Sequence, residues 1–215
     1  MRRLLASLAL AACGPATTVH PDTVAAGCPR EPVRLSGQED VAGIAGCAKL
    51  GAVTIRTGAP LSLGALRRLQ TIDGDLVIGP SVGLEDVALP EVVTITGTLR
   101  VIGNGNVHGV FLPKLARVAA IEVDSNPALA NLSLPSLAVV PGPVAILNNP
   151  ELELVELSAL TAVEGELAVI KNPKLVMLEV AKLERAKTLR VEDNPALPAA
   201  TNDALNRLRA PRASP

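Results

Sequence analysis

The residues of this 215-residue chain that could carry chemistry are few and scattered. There are three cysteines (Cys13, Cys28, Cys47), two histidines (His20, His108) and one aromatic, Phe111. A hydrolase needs a nucleophile beside a base, or paired carboxylates in a cleft. No His-x-x-x-His pair, Gly-x-Ser-x-Gly elbow or glycine-rich phosphate loop occurs. Two Cys with no nearby His do not make a four-ligand zinc set. The chain is therefore expected to be non-enzymatic and to need no metal or other cofactor. Its formal net charge of −1, without a basic stripe or stacking rings, argues against nucleic acid, and the missing aromatics argue against sugar binding.

What the chain does have is repetition. In LAVIKNPKL, Leu167 to Leu175, an apolar–x–apolar pair is followed by Asn-Pro and then Leu. The frame begins at Val53, Leu76, Leu99, Ile121, Val144, Leu167 and Leu189, in steps of 22 or 23 residues. A fixed period of this size marks a solenoid, in which each coil buries its apolar side against its neighbours. Two apolar sides alternate with period two, as in Leu167/Val169 and Leu178/Val180, and a third carries pairs such as Leu160/Val163. The expected fold is mainly β: a right-handed solenoid of about seven coils with parallel sheets and short helical caps at both ends. Gly74, Gly97, Gly142 and Gly165 are expected to turn the chain into the next coil with positive φ.

From the fourth coil onward Pro ends the first strand, and the Asn before it can satisfy backbone groups of the adjacent coil. Asn126, Asn149, Asn172 and Asn194 therefore read as a structural ladder. A calcium site would need several carboxylates at each corner, and only Asp124 and Asp193 approach that. In the first three coils Arg56-Thr57-Gly58, Gly79-Pro80-Ser81 and Gly103-Asn104-Gly105 replace the Asn-Pro corner, so those coils are expected to be less regular.

The ends need caps, because a terminal layer otherwise exposes core to water. Val33-Arg34-Leu35 reads as a short strand. A capping box follows, with Ser36 as N-cap and Glu39 reaching back, and then a helix through Val41, Ile44 and Ala45 that ends at Cys47. Thr201-Asn202-Asp203 starts a last helix with Ala204, Leu205 and Leu208 on its apolar side and Arg207 and Arg209 near its C-terminus. Outward residues of the first strands alternate with the core. They include Arg100/Ile102, Glu122/Asp124, Ala145/Leu147, Ala168/Ile170 and Arg190/Glu192. Coils five and six are thus expected to show water an apolar patch of Ala145, Leu147, Ala168 and Ile170, with Ile102 of the third coil on the same candidate binding face. Glu122 and Asp124 border it on one side, Arg190 and Glu192 on the other. An apolar centre with a polar rim is the composition of a contact site. Phe111 falls outward on the second sheet, where other coils have Ser133, Glu156 and Glu179.

Two resemblances add an address. Met1-Arg2-Arg3 precedes a nine-residue apolar run, Leu4 to Ala12, too short to span a bilayer and fit for a signal-peptide core. It ends in Leu10-Ala11-Ala12-Cys13, which resembles the lipobox of bacterial lipoproteins. That implies a lipidated Cys13 anchored in a membrane of the cell envelope, and Gly14, not being Asp, favours the outer membrane. Assigning Cys13 to lipid leaves Cys28 and Cys47, which can pair in an oxidising compartment. The frame G-x-L-x-I-x-x-N-P-x-L-x-x-L-x-L-P-x-L-x-x-V over residues 28–209 is similar to the receptor L domain, a leucine-rich, β-helix-like fold of cell-surface receptors. The chain then divides into a signal peptide (1–12), a lipidated Cys and tether (13–27), the solenoid (28–209, with caps 28–50 and 201–209) and a tail (210–215). The function expected from this is a membrane-anchored, non-enzymatic protein-binding or adhesion module. A structural envelope protein without a ligand ranks second and a polysaccharide-acting β-helix enzyme third.

Overall fold

The computed structural model describes residues 27–209. Residues 1–26, which hold the expected signal peptide, Cys13 and His20, and the expected tail 210–215 lie outside the described residues. The chain winds into a mainly β solenoid of about seven turns, roughly 23 residues apart, with two parallel sheets. The ten-stranded first sheet runs from Val33–Leu35 through Lys49–Ile55, Thr71–Ile78, Thr98–Ile102, Ala120–Asp124, Val144–Leu147 and Ala162–Ile170 to Arg185–Glu192. The five-stranded second sheet stacks Asp86–Ala88, Gly109–Phe111, Asn131–Ser133, Leu154–Glu156 and Met177–Glu179. The third apolar side is the start of the first sheet. In Ala162–Ile170 the chain passes through both as one strand, with a register irregularity between Val163 and Glu166.

Repeat spacing translates directly into pairing. Val144 stands opposite Ile121 on one side and Leu167 on the other, and the same offset holds in the second sheet, where Val155 lies between Leu132 and Leu178. Inward Leu, Ile and Val of the middle coils are essentially inaccessible, forming one continuous aliphatic core. At about 25 cal/mol per Å², this burial is the main term favouring the fold.

The polar column at the corner is longer than the Asn-Pro pattern indicates. Thr57, Ser81, Asn104, Asn126, Asn149, Asn172 and Asn194 are all buried, one per coil. The backbone N–H and Nδ2 of Asn104 both donate to Oδ1 of Asn126 (3.1 and 3.0 Å), and Asn126, Asn149 and Asn172 repeat this toward the next coil. Each Nδ2 also reaches strand carbonyls, Leu147 O and Val123 O in the case of Asn149 (2.8 and 3.2 Å). The third corner is therefore a rung of the ladder, with Gly105 replacing only the Pro. In coils one and two hydroxyls stand in: Ser81 Oγ donates to Thr57 O and Thr57 Oγ1 to Ala59 O.

Positive φ is used elsewhere than expected. Of the four coil-joining glycines only Gly74 has it (φ +139°). Gly97, Gly142 and Gly165 are required by close approach instead: a Cβ on Gly142 would lie 2.6 Å from Ala119 O. The left-handed residue is the one before each ladder Asn, namely Gly103, Ser125, Asn148, Lys171 and Asp193.

Both caps form, with shifted boundaries. The N-terminal helix spans Gln38–Gly43 with Gly37 at the N-cap and Ile44 at the C-cap, so it stops before Cys47. Asp40, not Glu39, makes the return contact: its carboxylate accepts from Ser36 N, Ser36 Oγ and Gly37 N. Those bonds, the Ser36 N–H first, hold its pKa below the ordinary carboxylate value. Asp fits because its shorter side chain closes the loop from the third helical position. Cys28 and Cys47 form a disulfide (Cα–Cα 5.5 Å) that ties the entering chain to this cap. The last helix, Ala199–Arg209, starts two residues earlier than Thr201, so Asp203 is not in its first turn. Its Leu205 is buried and Leu208 exposed. No helix among the described residues is long and apolar enough to cross a membrane.

Asn149→Ala would leave buried donors of Asn126 and carbonyls of two strands without partners, at a cost of about 3 kcal/mol. Asn194→Ala, where water has some access, should cost roughly half as much. Urea denaturation of the two variants measures the difference, and equal small losses would mean that the ladder does not hold the corners.

Candidate binding face

The expected contact residues are brought together, because parallel register carries each outward position onto the next coil. Arg100, Glu122, Ala145, Ala168 and Arg190 form one column across the first sheet. Ile102, Asp124, Leu147, Ile170 and Glu192 form a second column beside it. Neighbouring members stand about 4.8 Å apart, the strand spacing of any sheet.

The apolar patch is smaller than the alternation implies. Ala168 is 5% exposed and belongs with the buried residues. Its methyl is too short to clear its surroundings in the lattice: Ala145 and Arg190 flank it across the sheet, and Glu166 and Ile170 along the strand. Ile102, Ala145, Leu147 and Ile170 are half-buried rather than exposed. Leu147 and Ile170 remain the largest apolar side chains that this part of the face presents.

The polar border is compensated within itself. Arg100 bridges Glu122 (3.2 Å) and Asp75 (3.5 Å). Asp124 Oδ1 accepts from Ser125 Oγ and Asn148 Nδ2 (2.9 and 2.8 Å). Arg190 meets Glu192 at 3.2 Å and Glu166 at 3.9 Å, and these carboxylates, the Glu192 bond foremost, raise its pKa. Such exposed pairs add little stability, and here they fix side-chain positions more than they strengthen the fold.

Larger apolar exposure lies off this face. Val82 is 59% exposed, and Val176 and Met177 are 52% and 49% exposed at the end of the second sheet. The signal for the last pair was present in register: Val176-Met177 occupies the positions of Glu153-Leu154, Ala130-Asn131 and His108-Gly109. Phe111 faces outward as expected and has a structural partner. A Cβ on Gly109 would lie 2.1 Å from the Phe111 ring, so the ring covers the bare backbone of its own strand. The recesses include one of about 630 Å³ between the last coil and the C-terminal helix, lined by Leu178, Leu183, Leu205 and Leu208. Another, of about 520 Å³, lies at the N-terminal end and is lined by Ala45, Gly46, Gly64, Ala65, Arg67 and Arg68. The described residues contain no group of three or more His, Cys, Asp or Glu placed to hold a metal ion. His108 sits at a corner, where its backbone N–H donates to Glu85 O. No family model, curated protein or solved structure matches this chain.

Gly109→Ala should displace the Phe111 ring and cost about 1 kcal/mol. Phe111→Ser should abolish that penalty, giving a coupling of about 1 kcal/mol in a double-mutant cycle by urea denaturation. Additive losses would show that the ring does not cover the glycine.

Proposed function

We propose that this chain is a lipoprotein of the bacterial cell envelope, anchored through Cys13, whose receptor-L-like solenoid binds a partner protein without catalysis. The address draws on the Leu10-Ala11-Ala12-Cys13 frame behind a nine-residue apolar run, and Gly14 favours the outer membrane. The binding reading rests on one observation. Leu147 and Ile170 stand in register on adjacent coils of the first sheet, with Asp124 and Glu192 as the next residues of the same column on either side. An apolar centre inside a polar rim is the make-up of a protein interface. A solenoid suits such use because the inward positions alone hold the fold, which frees the outward ones for a partner.

A second reading, a structural envelope protein without a specific ligand, is favoured by the self-pairing of the rim, where Arg100 and Arg190 already have carboxylate partners. The two readings separate on one comparison. The wild type and the Leu147→Glu/Ile170→Glu variant are matched for denaturation midpoint and used in pull-downs from envelope extracts. The binding reading expects recovery of a partner to fall at least tenfold in the variant, which is about 1.4 kcal/mol. Equal recovery supports the structural reading.

The anchor has its own test. Cys13→Ser should release the protein into the soluble envelope fraction, because the acyl chains supply the lasting attachment. Continued membrane association of that variant after a high-salt wash, which removes attachment through surface charge, would refute lipidation at Cys13.

A further inference from the structure

We propose that the N-terminal end of the solenoid rests on the anionic phospholipid headgroups of the membrane in which the chain is anchored, with Arg67 and Arg68 as the principal contacts. This rests on the lipid-anchor reading for the nearness of a membrane, and on the fold for everything else. Charge is unevenly distributed along the solenoid axis. Residues 27–70 carry six Lys/Arg and three Asp/Glu, whereas residues 71–209 carry eleven and seventeen. The first coil and its cap are thus net positive and the rest of the stack net negative.

Within the positive end the cations differ in what they face. Lys49 pairs with Asp73 at 2.8 Å, and the Arg56 Nε–H donates to Gly79 O. The side chains of Arg67 and Arg68, like those of Arg30 and Arg34, are exposed without an ion pair or hydrogen bond among the described residues, and of these four only Arg67 and Arg68 line the recess at that end. They follow the short 3-10 turn Gly64–Leu66, whose Leu66 is buried, so the backbone that carries them is held by the core. Together with Ala45 and Gly46 they line the recess of about 520 Å³ at that end.

The same end is where the chain leaves toward its anchor. Cys28 is bonded to Cys47, one residue from Gly46, and Pro29 O accepts from Gly51 N. The disulfide therefore pins the exit of the tether beside the Arg67–Arg68 recess. A chain of about 14 residues between Cys13 and Cys28 reaches at most about 45 Å, so the anchored protein stays close to the lipid surface. An anionic surface attracts nearby arginines over about a Debye length, and favours each by roughly fivefold in binding. Repulsion of the acidic body by the same surface orients the stack with its N-terminal end down.

The experiment uses the full chain carrying Cys13→Ser, purified from the soluble envelope fraction, in co-sedimentation with vesicles. The vesicles are phosphatidylcholine alone or phosphatidylcholine mixed with phosphatidylglycerol. Binding is expected to the mixed vesicles only and to weaken as salt is raised. Arg67→Gln/Arg68→Gln should lower the partition coefficient by about 25-fold. Arg117→Glu changes the net charge equally in the middle of the stack and should not lower it comparably. Equal losses in the two variants, or no binding to the mixed vesicles, would overturn the proposal. So would saturable binding of inorganic phosphate at the Arg pair that vesicles do not displace, which would assign the recess to a free anion. These results stand apart from the anchor itself: release of the wild-type protein from membranes would refute lipidation and leave the vesicle comparison intact.

Discussion

The structure depends on keeping one buried corner hydrogen-bonded in every coil. After the first strand the chain bends inside the stack, where water cannot serve its backbone groups, and each unserved group costs about 1–3 kcal/mol. An asparagine amide solves this because it is a peptide group on a short stem, with one acceptor and two donors. Oδ1 takes the N–H and Nδ2 of the preceding rung, while Nδ2 reaches the carbonyls of its own strand and of the coil before. The ladder also explains the regular period. A residue inserted between strand and rung would orphan groups in two coils, so spacing is held at 22 or 23. The left-handed residue before each rung has φ between 53° and 66°, and at the four non-glycine positions it costs on the order of 1 kcal/mol.

A ladder has a direction, and its two ends differ. At the N-terminal end Ser81 replaces an Asn, and Asn104 Oδ1 is left buried without a hydrogen-bond partner among the described residues. A hydroxyl offers one donor where an amide offers two, so the first two coils hold their corners with fewer bonds. The disulfide, the Asp40 carboxylate and the short helix are concentrated at that end. At the C-terminal end Asn194 completes the column. Pro198 then gives way to a helix at the register where a second-sheet strand would come, 23 residues after Met177–Glu179.

Nearly all of the fold was legible because its signals were periodic. Inward Leu and Val, the strands and the Asn rungs each recur at one offset, so register follows from counting. Periodicity misleads where a different force acts at the same position. Gly142 looks like a turn residue and is a contact residue, because only the neighbouring coil reveals the 2.6 Å approach. Asn104 lacks the Asn-Pro signature, although the hydrogen bonds of a rung need only the Asn. The left-handed position was partly visible, since Gly103, Asn148 and Asp193 are residues that tolerate it, yet Ser125 and Lys171 hide the pattern. Ala168 shows the limit of alternation: period two states which way a side chain points, and its length relative to its neighbours decides whether water reaches it.

The candidate face and the basic end bear on each other through the geometry of stacking. Coils advance by about 4.8 Å, so coils four to seven lie about 15–30 Å beyond the first. In a protein standing on its N-terminal end, the Leu147–Ile170 column would run along the membrane normal, clear of the headgroups and beyond a Debye length of about 8 Å. On the proposed orientation, the charges on the face, Arg100 with Glu122 and Arg190 with Glu192, would meet a partner in free solution rather than in the field of the lipid surface. Orientation and recognition would thus be carried by different stretches of one periodic chain. The first coil, where the polar ladder is weakest, would supply the cations, and the regular coils beyond it the candidate face.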